Sequence, residues 1–118
     1  MTKKVGVAIL GFGVVGGGTY QTLTEHHEYY LKTQNVDITV EAVLVRNKEK
    51  AIEKGLPEAI VTDNIAEVIA NPNVDIVIET IGGVDAAKDY VLSALRQGKT
   101  VVTANKEMIC KYSQLYNS

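Results

Sequence analysis

Apolar and polar positions switch along this chain between a strand-like run and a helical period. Residues 5–10 are apolar apart from Gly6, as expected of a strand covered on both faces. Gly11, Gly13 and Gly16 follow, and a helix is predicted over 14–32, with Val15, Thr19 and Leu23 at helical spacing. Its second half, Glu25 to Tyr30, is amphiphilic and expected to face solvent. A second strand is predicted over 38–46, where Val40, Ala42, Val43, Leu44 and Val45 are apolar. A short helix over 48–54 should end at Gly55, which suits the position after a helix. A brief third strand is expected over 59–62. Asn64 then caps a helix carrying Ile65, Val68 and Ile69 and stopped by Pro72.

The fourth strand is predicted over 75–80, closed by Gly82 and Gly83. Asp85 is expected to cap an amphipathic helix with Ala87, Tyr90, Val91, Ala94 and Leu95 on its inner face. Arg96 falls in its last turn and Gly98 ends it. Residues 100–103 read as a fifth strand, and Asn105 as the cap of a last helix towards Tyr116. Strands alternating with helices indicate parallel crossover units. The expected fold is α/β: a Rossmann-type doubly wound parallel sheet in the order 3-2-1-4-5, in three α/β/α layers. One domain over residues 1–118 is expected. No sequence is left for the sixth strand of a complete dinucleotide fold, so the chain reads as truncated.

Bulk properties narrow the picture. The 118 residues are 46% hydrophobic and 22% charged, with a formal net charge of −2. That suits one soluble domain with a real core. It gives no support to a nucleic-acid partner, which calls for clustered Lys and Arg. No apolar run approaches the ~20 residues of a membrane helix, and no convincing cleavage site follows the first apolar run. The single Cys110 cannot build an internal disulfide framework. These features together lead to a cytoplasmic reading.

Gly11-Phe12-Gly13-Val14-Val15-Gly16 is a G-x-G-x-x-G. The pattern alone is weak, but here it leaves a strand and opens a helix, the context that gives it meaning. Gly11 would make the tight turn, Gly13 would admit a pyrophosphate against the backbone, and Gly16 would let helix and strand approach. The helix N-terminus would offer free N–H groups to phosphate. Gly17 and Gly18 extend the run at a cost to the helix, for which close packing is the expected compensation. At the end of the second strand, where an NAD-preferring site carries an acid, this chain has Arg46. A guanidinium can grip a 2′-phosphate bidentately, so NADP is expected ahead of NAD. Arg46 lies further from Gly16 than the usual ~20 residues, which an insertion around 27–35 would explain.

Ligands of open parallel sheets bind beyond the carboxyl ends of strands. There Thr80, Gly82 and Gly83 follow the fourth strand, and Thr103-Ala104-Asn105-Lys106 ends the fifth. Lys106 would sit at the nicotinamide end, where an ammonium can bond a substrate oxygen. Cys110 has no activating motif and reads as a packing thiol. His26 and His27 lack partners at ligand spacing, so no metal site is expected and a solvated helix surface is. Tyr29, Tyr30, Tyr112 and Tyr116 read as packing residues.

These motifs resemble the N-terminal domain of homoserine dehydrogenase over essentially the whole chain. The resemblance rests on residues 7–16, on Val74-Asp75-Ile76-Val77-Ile78-Glu79-Thr80-Ile81-Gly82-Gly83, and most tellingly on Gly98-Lys99-Thr100-Val101-Val102-Thr103-Ala104-Asn105-Lys106. It implies NAD(P)-dependent interconversion of L-homoserine and L-aspartate 4-semialdehyde, in threonine and methionine biosynthesis. It implies Phe12, Val14 and Val15 at the pyrophosphate turn and Thr80, Gly82 and Gly83 beside the nicotinamide. Arg46 would stand at the adenosine phosphate, and Lys106 beside the reacting carbon as the catalytic residue of this part. The family's second lysine, its acidic groups for the substrate amine and its dimer interface belong to a later domain absent from this chain. Cofactor binding without turnover is therefore expected of the chain alone. Sugar-type oxidoreductases share the glycine turn but carry Glu-Lys-Pro near the fifth strand, where this chain reads Asn105-Lys106-Glu107. A non-catalytic dinucleotide-sensing module is the alternative from another class.

Overall fold

The computed structural model describes residues 2–80 and 84–103. Its strands are β1 (Lys3–Leu10), β2 (Val36–Leu44), β3 (Val61–Thr62), β4 (Ile76–Glu79) and β5 (Thr100–Thr103). They form one sheet in the order β3-β2-β1-β4-β5, and every pairing is parallel. The expected architecture is therefore the observed one. The helices are α1 (Val14–Glu25), α2 (His27–Gln34), α3 (Lys48–Glu53), α4 (Ile65–Ala70) and α5 (Val84–Arg96).

Each face of the sheet buries its own core. Val7, Ile9 and Val43 pack with Ala51, Leu56 and Val61, joined by Phe12, Tyr20 and Leu23 from the glycine turn and α1. Ala8, Leu10, Ala42, Leu44 and Val77 pack on the other face with Val68 of α4 and Ala94 of α5. Ile9 and Leu10 are fully buried on opposite faces, each contributing roughly 2 kcal/mol. This double burial explains why β1 reads as an apolar run rather than an alternation.

A bulge in β2 sets which side chains reach which face. Val7 pairs with Val40 but Ala8 with Ala42, so Glu41 is the extra residue. Ile38 and Val40 consequently share a face with Val43, while Ala42 and Leu44 take the other. Without the bulge, 38, 40, 42 and 44 would all point one way.

Several boundaries differ from those expected. The first helix is two helices that meet at His26. Thr22 O there accepts from the His26 backbone N–H at 3.0 Å and lies 3.0 Å from the ring Nδ1. Thr24 Oγ1 donates back to Tyr20 O and Gln21 O, a competition that disfavours helix continuation. Asn35 then ends α2 in the left-handed conformation, φ 54°. β2 starts earlier and stops at Leu44, so Arg46 lies beyond the strand. β3 is shorter than expected because 58–60 form a 3₁₀ turn after Pro57. α5 begins at Val84, one residue ahead of Asp85. Leu95 is 37% exposed, so the inner face of α5 is carried by Val91, Ala94 and half-buried Tyr90. Tyr29 is 59% exposed and, among the described residues, meets only His26 and Tyr30 as aromatic partners; it is not a packing residue of the core. His27 is more than a solvated surface residue, since its Nε2 lies 2.7 Å from Asp37 Oδ1 and ties α2 to β2. The last predicted helix, with Asn105, Cys110, Tyr112 and Tyr116, lies outside the described residues.

Candidate cofactor site

The carboxyl ends of β1, β2 and β4 are knotted together around Gly11. Gly11 N–H donates to Leu44 O at 2.8 Å, on the β2 side. On the β4 side, Thr80 N–H donates to Leu10 O at 3.0 Å. The Thr80 hydroxyl also donates to Leu10 O at 2.8 Å, with Gly11 O at 3.3 Å. Gly11 itself has φ 99°, a conformation that L side chains rarely adopt. The turn is thus strained in a way glycine tolerates and is pinned on both sides.

The three glycines of the motif face different surroundings. A Cβ on Gly16 would run into the Gly11 carbonyl and come within 2.9 Å of Thr80 Oγ1. Gly16 is the close helix–strand contact. A Cβ on Gly13 would meet nothing within 4 Å, because this position opens on the cleft. Gly17 would make an ordinary contact with the Phe12 ring, and Gly18 would meet nothing. The close packing expected at Gly17 and Gly18 is therefore not found.

Gly13 is also the N-cap of α1. It supplies no side-chain hydrogen bond, and no acidic residue stands in the first turn. The leading N–H groups of a twelve-residue helix are left without side-chain partners at its positive dipole end. This arrangement accepts an anion such as a pyrophosphate. Val14 and Val15 are its first two residues. Phe12 turns its ring edge-on to Tyr20, with centroids 6.1 Å apart, and lends the site backbone and a wall.

A cleft of about 910 Å³ lies over this turn. Gly11, Phe12, Gly13, Arg46 and Thr80, all singled out in the sequence, line it together. Such a volume is within the range of cofactor pockets. Its β2–β3 end is also lined by Asn47, Lys50, Lys54 and Asp63, and Tyr90 of α5 borders it as well. Asn47 caps α3 by accepting from Lys50 N–H at 3.1 Å. Lys50 and Lys54 are four residues apart, so they project from one face of the helical turn, and both line the cleft while Ala51 is buried. Reading 48–54 only as a short helix missed both lysines and Asp63. The signals were the i, i+4 lysine spacing and an acid directly after the third strand. Among the described residues, the side chains of Arg46, Lys50, Lys54 and Asp63 have no hydrogen-bond or ion-pair partner. Three cations and one carboxylate therefore meet at one end of the cleft without neutralising each other.

Thr103 ends β5, paired in register with Glu79, at the same carboxyl edge of the sheet. Gly82, Gly83 and Lys106 lie outside the described residues. No helix among the described residues is long and apolar enough to cross a membrane.

An all-parallel sheet in this order, with a glycine turn and an uncapped helix start opening on a cleft, defines a dinucleotide-binding domain of the Rossmann class. Comparison with known proteins narrows that class. The family model for the homoserine dehydrogenase NAD-binding domain matches residues 11–118. A curated homoserine dehydrogenase from Bacillus subtilis is 40% identical over 110 residues, covering 93% of this chain and 25% of that protein. One from Methylobacillus glycogenes is 41% identical over 107 residues, covering 91% and 26%. The crystal structure of a homoserine dehydrogenase from Thiobacillus denitrificans is 40% identical with a TM-score of 0.83, covering 95% of this chain and 26% of that one. The chain belongs to the homoserine dehydrogenase family, within its NAD-binding domain. It spans about a quarter of the length of the curated relatives it matches. Its cofactor class is accordingly a nicotinamide dinucleotide, and the sugar-type alternative is set aside.

Proposed function

We propose that this chain holds the cofactor of an NAD(P)-dependent homoserine dehydrogenase, which interconverts L-homoserine and L-aspartate 4-semialdehyde. The supporting observation is the uncapped N-terminus of α1 at Gly13, open to the cleft. Gly11, Gly13 and Gly16, with the backbone of Phe12, Val14 and Val15, bind the pyrophosphate. Thr80 keeps the turn in place through its hydroxyl, and with Gly82, Gly83 and Thr103 borders the nicotinamide end. When bound, the nicotinamide supplies the hydride chemistry. Lys106 would stand beside the reacting carbon, as the family resemblance implies, and would orient a substrate oxygen. Acidic groups that bind the substrate amine, a second lysine and a homodimer interface are supplied by the length that the relatives have beyond this region, and the protein works in the cytoplasm.

The same reading prefers NADP over NAD. Arg46 donates two hydrogen bonds to the 2′-phosphate, and Lys50 and Lys54 add positive potential at that end of the cleft. The test is separate titration of the 118-residue chain with NADPH and NADH by calorimetry at fixed salt. Saturable binding, tighter for NADPH and weakened by Arg46→Ala, is the expected result. A cooperative melt with no binding of either cofactor overturns the reading. Steady-state hydride transfer by this polypeptide alone overturns the expectation that it binds without turnover.

A further inference from the structure

Asp63 is the one carboxylate bordering the cleft among its described lining residues, and the cofactor reading above gives it no role. Its place is fixed from both sides. Val45 N–H donates to Thr62 O at 2.9 Å, so β2 and β3 leave the sheet side by side and Arg46 and Asp63 are the next residues out. Thr62 Oγ1 donates to Glu67 Oε2 at 2.6 Å and accepts from Asn64 N–H at 3.1 Å. Asn64 Oδ1 in turn accepts from Ala66 N–H at 2.9 Å. The turn that carries Asp63 is thereby tied down on either flank, while the Asp63 side chain is exposed and without a partner among the described residues. It is not spent as a counter-ion for Lys50 or Lys54.

A dinucleotide whose pyrophosphate lies on the start of α1 runs its adenosine half over β2. The adenine ring then lies past the ribose, towards β3. The exocyclic amino group is on the far edge of the purine from the ribose, and a donor there needs an acceptor. We propose that Asp63 reads the adenine, its carboxylate accepting a hydrogen bond from that amino group. The same carboxylate repels the carbonyl oxygen that hypoxanthine or guanine presents at this position, so the discrimination has an attractive and a repulsive half. The inference rests on the cofactor reading above and deepens it.

The test compares NADPH with its deamino analogue, in which hypoxanthine replaces adenine, on the 118-residue chain by calorimetry. The NADH pair serves as a duplicate, because both cofactors present the same purine edge. Wild type is expected to bind NADPH roughly tenfold more tightly than the analogue, the size of one charge-assisted hydrogen bond at a partly solvated site. Asp63→Ala should bring the two ligands to the same affinity, weakening NADPH and relieving the analogue of the repulsion. Asp63→Asn should bring the two ligands together from the other side, since its amide can donate to the carbonyl and so improves the analogue. Equal affinity of wild type for both ligands overturns the inference while leaving the cofactor reading intact. Equal weakening of both ligands by Asp63→Ala, with an unchanged cooperative melt, also overturns it and assigns Asp63 to a group the ligands share, such as a ribose hydroxyl. Failure of wild type to bind any of the four ligands overturns the cofactor reading, and this inference with it.

Discussion

The two ends of the cleft are built on opposite plans. At the glycine turn nearly every group is committed: Gly11 is bonded to β2, Thr80 holds Leu10 and Gly11, and Gly16 has no room for a methyl group. What it offers a ligand is backbone N–H. At the Arg46 end the backbone is tied and the side chains are free: Arg46, Lys50, Lys54 and Asp63 all lack partners among the described residues. A pyrophosphate is common to all dinucleotides and suits a rigid grip that costs no reorganisation. The 2′ position and the base are what differ between ligands, and exposed side chains are the part of a site that can be exchanged without disturbing the fold.

The largest effect should come from breaking the rigid end. Gly16→Ala forces the Gly11 carbonyl and the Thr80 hydroxyl apart, and overpacking of this kind costs about 3 kcal/mol. Urea denaturation should show the loss, with cofactor binding falling alongside because the turn itself moves. Wild-type stability in Gly16→Ala would contradict the close approach of Gly16 to the Gly11 carbonyl. Gly13→Ala supplies the contrast within the same motif. Its Cβ has open space in the protein, so stability should hold, while affinity for NADH and NADPH alike should drop about tenfold or more, or ~1.4 kcal/mol.

At the free end, Arg46→Ala and Lys50→Ala should leave the melt unchanged, as exposed substitutions commonly do. They should weaken NADPH by roughly five- to tenfold, under ~1.4 kcal/mol, and NADH scarcely at all. The NADPH effect should shrink as salt rises, because exposed charges are screened. Equal losses for both cofactors would mean that these cations serve the pyrophosphate instead, and that the two ends are less separate than their construction suggests.

The same contrast explains what could be read from the chain. Strand order and the glycine turn are local: a run such as 5–10, buried on both faces, and a G-x-G-x-x-G between strand and helix carry their meaning in adjacent residues. The bulge at Glu41 was hidden because apolar residues at 42–45 fit either parity, and only pairing with Val7 and Ala8 decides it. The break at His26 depends on threonine and histidine side chains turning back onto carbonyls, which helical spacing does not register. Lys50 and Asp63 are harder still. They belong to separate elements and become one site only once Val45 and Thr62 are bonded.

The smallest expected effect sharpens the comparison within a single run of glycines. Gly18 sits in the interior of α1, exposed, with nothing within 4 Å of the place a Cβ would take. No left-handed angle or close neighbour calls for glycine there, in contrast to Gly11 and Gly16. Glycine in a helix interior costs about 0.5–1 kcal/mol against alanine, since the unfolded chain has more freedom to lose. Gly18→Ala should therefore stabilise the domain by about that amount, measured as a higher urea midpoint with an unchanged slope, and leave both cofactor affinities where they are. A loss of affinity with that gain in stability would place Gly18 against the ligand and extend the backbone grip one turn further along α1. A loss of stability would mean that a neighbour closes over this face of the helix.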